Sequence, residues 1–234
     1  MDSRVVVQEL NRLANPAKAA ILRRFFKTGK GEYAEGDRFL GIKVPVLRQV
    51  AQEHGDLPLA EVRKLLASGI HEHRLVALEI LVYRYESAEE EERGPIVDFY
   101  LKNRKHIDNW DLVDLSAPYI LGDWLIHHTH DRAILYKLAR SARLWDRRIA
   151  MVSTYALIRA GDCRDTLRLA KLFIADGHDL MHKATGWMLR EVGKKSLKDL
   201  IGFLDRNAHI MPRTMLRYAI ERLPPARRRH YLSV

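Results

Sequence analysis

Cysteine occurs once, at Cys163, which excludes an internal disulfide and leads us to expect a reducing compartment. No run approaches the roughly 18 consecutive apolar residues of a membrane span. The opening "MDSRVVVQELNRL" lacks a basic start followed by an apolar stretch of signal-peptide length. A cytoplasmic protein with no membrane partner is therefore expected. Missing too are period-two runs rich in Val, Ile and Thr with turn-forming borders, the mark of strands. No low-complexity linker divides the chain, and neither kind of phosphate-binding glycine loop occurs. The histidines of "HEH" at 71–73 and "HHTH" at 127–130 lack both the helical spacing of a zinc peptidase and companion cysteines. Neither a metal nor a cofactor is expected.

What the chain does have is positive charge and helical periodicity. Over 234 residues, 40 Lys and Arg stand against 30 Asp and Glu, a formal net charge of +10. That excess favours a polyanionic partner, with nucleic acid ahead of an anionic membrane surface. A hydrophobic fraction of 47% is ample for a continuous core. Apolar residues recur at intervals of three and four nearly throughout, so the fold class is all-α. Helices are predicted over 3–14, 16–28, 44–54, 58–68, 71–86, 89–104, 109–127, 131–140, 144–160, 163–175, 179–193, 196–206, 212–222 and 225–231. Asn15-Pro16 starts one of them, and Gly29, Gly31, Gly55, Gly69, Gly161 and Gly177 are placed as left-handed helix stops. The basic tail at about 224–234, with Arg227, Arg228 and Arg229, either binds flanking phosphates or is simply solvated.

Four second helices look alike: "EHRLVALEIL" from Glu72, "DRRIAMVSTY" from Asp146, "MHKATGWMLR" from Met181 and "MPRTMLRYAI" from Met211. Aligning Arg74, Arg148, Lys183 and Arg213 gives separations of 74, 35 and 30 residues, the first being two units of 37. A degenerate repeat of about 30–40 residues is the signature of a two-helix solenoid, which is expected to be one curved domain over 1–234 with an extended concave face. An irregular helical bundle is the alternative.

One further unit of 37 beyond Arg74 reaches Asp111, so Asp114 takes the position held by Ala77, Met151 and Gly186. A carboxylate at a small or apolar packing position is costly unless it is solvated, paired or functional. Trp110 lies one turn away on the same face. Asp108 and Asp111 read as a helix start, where negative charge complements the macrodipole. Trp187 sits between Lys183 and Arg190 on one helix stripe, an arrangement suited to a phosphate backbone and an exposed sugar, or else a core indole with a solvated basic flank. Arg147 and Arg148, beside Trp145, form another basic cluster able to position a nucleic acid without reading its sequence.

Three segments, "FLGIKVPVLRQVA" at 39–51, "NWDLVDLSAPYILGDWL" at 109–125 and "HKATGWMLREVGKKS" at 182–196, resemble the DNA alkylation repair family, the AlkD-like HEAT-repeat alkylpurine DNA glycosylases. "LWDRRIAMVSTYAL" at 144–157 is a fourth match, and the resemblance spans roughly 36 to 222. It implies a solenoid whose concave face holds double-stranded DNA, and hydrolytic removal of cationic bases such as 3-methyladenine and 7-methylguanine without base flipping. It places the catalytic carboxylate on Asp114, the sugar-facing indoles on Trp110 and Trp187, and backbone contacts on Arg148 and Arg190, with Lys183 and Arg147 as further nucleic-acid-binding candidates. A monomer is expected. Asn109 departs from the pattern, since some members carry another aromatic there. A noncatalytic binder of damaged or unusual DNA on the same scaffold is the rival reading, as is a scaffold for another protein.

Overall fold

A computed structural model describes residues 2–233. Among them every regular element is helical, apart from an isolated parallel bridge between Arg38 and Ile70. The chain is all-α, as the periodicity predicts. In order the helices are α1 (Ser3–Arg12), α2 (Pro16–Phe25), α3 (Val44–Glu53), α4 (Leu59–Leu66), α5 (His71–Ser87), α6 (Glu90–Asn103), α7 (Trp110–Asp114), α8 (Asp123–His127), α9 (Ala133–Ala139), α10 (Leu144–Arg159), α11 (Arg164–Phe173), α12 (Asp179–Lys195), α13 (Leu197–Asn207), α14 (Arg213–Ala219) and α15 (Pro225–Ser233).

Most boundaries agree with the sequence within a few residues, and two differences have clear causes. The helix expected over 109–127 is broken into α7, a π turn at Pro118–Gly122 and α8. Pro118 has no N–H for the Asp114 carbonyl, and the Ser116 hydroxyl donates back to the Leu112 carbonyl at 2.6 Å. The chain then widens so that the Gly122 N–H reaches the Ala117 carbonyl at 2.8 Å. The second difference is at α2, which ends at Phe25 rather than at 28. Its stop is Lys27 in the left-handed region at φ 55°, with the Thr28 N–H donating to the Arg23 carbonyl, a cap that glycine usually provides. Of the predicted glycine stops, Gly31 and Gly161 adopt positive φ, whereas Gly29, Gly55, Gly69 and Gly177 do not.

Residues up to Ser116 form one compact unit and those from Ala117 a second. In the first, α5 is the central helix, meeting α1, α3, α4, α6 and α7. It is buried nearly all round, with Leu75, Val76, Leu78, Ile80 and Leu81 at its heart, which is why its apolar residues do not keep to one stripe. In the second unit, α12 packs against α10 and α14 and also meets α11 and α13. The repeat-register positions Ala77, Met151 and Gly186 are all buried. At Gly186 the absence of a side chain sets the spacing, because a Cβ there would lie 2.5 Å from both the Met215 carbonyl oxygen and Tyr218 Cβ on α14. The C-terminal α15 exposes Arg227, Arg228 and Arg229 and is anchored by the Tyr231 hydroxyl, which donates to Asp205 on α13 at 2.6 Å.

These contacts yield a stability prediction. Gly186→Ala is expected to destabilise the protein by about 1–3 kcal/mol through overpacking. Gly177→Ala, with nothing within 4 Å of its Cβ, should leave urea unfolding nearly unchanged. Equal midpoints for the two variants would show that α12 and α14 are not in the close contact described.

Candidate functional site

Helix α7 is a single turn, so its position depends on what holds its first residues. Asn109, fully buried, is its N-cap, and its side-chain oxygen accepts from the Trp110 N–H at 2.8 Å. Asp111 adds negative charge to the first turn, where it also accepts from the Leu112 N–H at 2.9 Å. The expected helix start is thus found one residue later than Asp108, which instead packs toward Arg74 with 3.4 Å between Oδ1 and the guanidinium. Asp114 closes the turn. It is half-buried, in contrast to the fully buried residues at its repeat counterparts. Its charge reaches the Tyr100 phenol, which burial and, to a smaller degree, Asp114 push well above the ordinary tyrosine range.

Beneath the start of α7 lies a buried cluster of charges. His71, the first residue of α5, places Nδ1 2.9 Å from Asp37 Oδ2 and Nε2 2.7 Å from Asp111 Oδ2. Both partners are acceptors, so both ring nitrogens must donate and the ring is an imidazolium. Burial penalises that charge, but the charges and hydrogen bonds of Asp111 and Asp37 outweigh it and raise the group from 6.5 to about 9. Arg74, one turn along α5, donates to the same Asp37 oxygen at 2.8 Å, and Asn109 Nδ2 approaches it at 3.4 Å. Burial acts against the Asp37 carboxylate, yet His71 and Arg74 hold it below its usual range. Asp108 is shifted the other way, upward, because desolvation exceeds the attraction of Arg74.

An aromatic stack continues from this cluster to the proposed sugar-facing indole. Phe39 stacks on the His71 ring with centroids 4.6 Å apart, and Phe26 lies against both rings at 5.0 Å. Phe26 then stacks on Trp110 at 5.3 Å and an interplanar angle of 18°. The Trp110 indole N–H donates to the Tyr33 hydroxyl at 3.2 Å, and the largely exposed Phe25 meets the indole edge-on at 6.0 Å. Trp110 itself remains half-exposed. The segment from α2 to the start of α3 therefore walls one side of the indole, a contribution that sequence reading missed.

The remaining candidates belong to the second unit. Trp187, on α12, is half-buried with Tyr155 of α10 6.0 Å away. Lys183 and Asp179, both with partly exposed side chains, pair at 2.7 Å near the start of α12. Arg190 pairs with Glu221 and lies 3.6 Å from Glu191. Arg148 is buried, and its guanidinium donates to the Leu180 carbonyl at 2.7 Å, tying α10 to the start of α12. Arg147 is committed to Asp176 at 2.7 Å and to the Ser141 and Ala142 carbonyls at 3.1 and 2.9 Å. Among the described residues no group of three or more His, Cys, Asp or Glu side chains is placed to hold a metal ion.

A family model described as "DNA alkylation repair enzyme" matches residues 6–223. The chain belongs to the DNA alkylation repair enzyme family. Family membership makes this a DNA repair protein, and the match ends just short of the basic helix α15. Among solved structures, a predicted DNA alkylation repair enzyme from Enterococcus faecalis is similar in fold, with a TM-score of 0.72 and 18% identity over 91% of this chain and 97% of that one. No curated protein matches significantly in sequence.

Asp37, His71 and Arg74 were not among the candidate site residues of this DNA alkylation repair protein, His71 having been weighed only as a metal ligand and Arg74 only as a repeat anchor. The available signal was His71 and Arg74 at a three-residue spacing, which places them on one face at the start of a helix otherwise buried. Their partners are 34 to 40 residues away in the chain, beyond the reach of local pattern. Because the folded value for His71 lies above 6.5, its stabilising effect is complete below about pH 6.5 and is lost as pH rises through about 9. Nuclear magnetic resonance of the His71 ring is expected to show the doubly protonated form at neutral pH, titrating near 9. An ordinary imidazole titration near 6.5 would exclude the two-carboxylate arrangement.

Proposed function

We propose that the protein is a monofunctional DNA glycosylase that hydrolyses the N-glycosidic bond of cationic alkylated purines, such as 3-methyladenine and 7-methylguanine, in double-stranded DNA. The observation that carries this reading is Asp114, a half-buried carboxylate one turn from the half-exposed indole of Trp110, in a chain of the DNA alkylation repair enzyme family. Alkylation of a ring nitrogen makes the base a good leaving group without a general acid. As the glycosidic bond breaks, the base departs neutral and positive charge grows on the deoxyribose. A fixed carboxylate beside the sugar stabilises that charge where it develops, which is the efficient place for electrostatic catalysis. Asp114 fills this role and also orients the attacking water. Indole faces attract cations through the ring quadrupole, so Trp110 and Trp187 favour the charged transition state over the neutral ground state.

The basic residues supply the grip on DNA. Arg148 and Arg190, with Lys183 and Arg147, contact the backbone, and the excess of ten positive charges draws the polyanion in. The enzyme works as a monomer in the cytoplasm, on nucleoid DNA, and holds sugar and backbone without extruding the base into a pocket. Selectivity then comes mainly from the lability of cationic lesions. No lysine is needed as a Schiff-base nucleophile, so the product is an abasic site with the strand intact.

Incubation with methylated duplex DNA tests the reading. Wild type is expected to release 7-methylguanine, with Asp114→Asn slower by about 10²–10³-fold and little changed in DNA affinity. Arg148→Ala should weaken DNA binding and, because the buried guanidinium ties α10 to α12, should also lower the urea midpoint. Absence of base release by the wild-type protein, with DNA binding intact, would favour the noncatalytic alternative. Uncharged lesions should be poor substrates, and efficient uracil excision would overturn the proposed chemistry.

A further inference from the structure

We infer that His71 is a positioning residue for α7: its imidazolium clamps Asp111 to Asp37 and thereby sets where Trp110 and Asp114 stand. This inference rests on the glycosylase reading for its effect on rate. Three observations support it. First, α7 spans five residues and cannot fix its own orientation, because a single turn has too few hydrogen bonds to offset the ordering of its backbone. Second, three contacts hold its start from below: His71 to Asp111 at 2.7 Å, Asn109 to Asp37 at 3.4 Å, and Phe26 against Trp110 at 5.3 Å. Third, all three converge on His71, which bonds Asp37 directly and lies against Phe26. The His71 backbone is itself fixed, its N–H donating to the Arg38 carbonyl at 2.8 Å.

The charges around the ring define how the clamp responds to pH. Asp37 faces it from the segment before α3, Asp111 and Asp108 from the α7 region, and Arg74 from its own helix, with Glu72 turned aside to the Leu40, Gly41 and Ile42 N–H groups. Phe26 and Phe39 cover the ring and contribute no charge. With His71 protonated, it and Arg74 offset Asp37 and Asp111, while Asp108, a third and more exposed carboxylate, lies beside Arg74. Once the ring is neutral it donates from one nitrogen only, and one carboxylate faces an acceptor lone pair across less than 3 Å. That repulsion releases the start of α7, carrying Trp110 and Asp114 away from their working positions.

The test combines kinetics with a spectroscopic report from the indole. Trp110 is one of four tryptophans, and its indole N–H resonance is assigned by its loss in Trp110→Phe. In the wild-type protein that resonance is expected to move as pH is raised from 7 through about 9, and single-turnover excision of 7-methylguanine should decline in the same titration. His71→Gln should lower the excision rate roughly 10–100-fold, as a modest misplacement does, with DNA affinity within about twofold. It should also remove the alkaline titration from both readouts. Asp111→Asn, which alters one arm of the clamp, should shift the indole resonance at neutral pH and serves if His71→Gln fails to fold. An indole resonance indifferent to pH between 7 and 10 in the wild-type protein would overturn the inference, whatever the activity. Equal excision rates for wild type and folded His71→Gln would do so too. A wild-type protein that releases no base but shows the coupled indole titration would overturn the glycosylase reading and leave the clamp standing.

Discussion

Two carboxylates drawn together inside a protein repel unless a cation stands between them, and in the first unit that cation is the imidazolium of His71. Asp37 comes from a loop, His71 and Arg74 from the central helix α5, and Asp111 from the one-turn helix α7. Removing one partner from such a buried set leaves a charge without compensation, which is far costlier than the set as a whole is stabilising. The loop and the two helices must therefore stay in register with one another. Around this point the apolar core of α5 and the ring series from Phe39 to Trp110 are arranged.

The second unit relies on a different constraint, the closeness of backbone to backbone. Gly186 lets α12 settle on α14, and Gly122 on the π turn lies so near the Ser153 carbonyl of α10 that no Cβ fits. The guanidinium of Arg148 adds a polar tie between α10 and the Leu180 carbonyl. Arg147 and Arg148, adjacent in the chain, each bond acceptors within the protein, so their placement is determined before any partner arrives.

Much of the fold could be read from periodicity, and the reasons for the exceptions are local. The extents of α5, α10 and α12 follow from long apolar patterns. The break after Asp114 was signalled by Pro118, a residue whose missing N–H outweighs the favourable spacing around it. The stop at Lys27 could not be read, because a lysine in the left-handed region is set by the surrounding turn rather than by its own preference. At the candidate site, Asp114 and Trp110 stood out through the repeat register and their spacing. The His71 cluster did not, since an ion pair joining residues many turns apart leaves no local period. Asn109 illustrates the difference. As a substitution it looked like a lost aromatic, whereas in the fold it caps α7 and reaches Asp37.

The brevity of α7 carries an implication for engineering. Buried ionic clusters are often replaced by well-packed apolar side chains with no loss of stability, or with a gain. Here the same replacement at Asp37, His71, Arg74 and Asp111 together would separate thermal robustness from the aim of a five-residue segment that cannot orient itself. A repacked first unit would melt no earlier while presenting its carboxylate and indole less consistently. Screens that select only for heat resistance would thus retain variants that have traded away angular accuracy at α7.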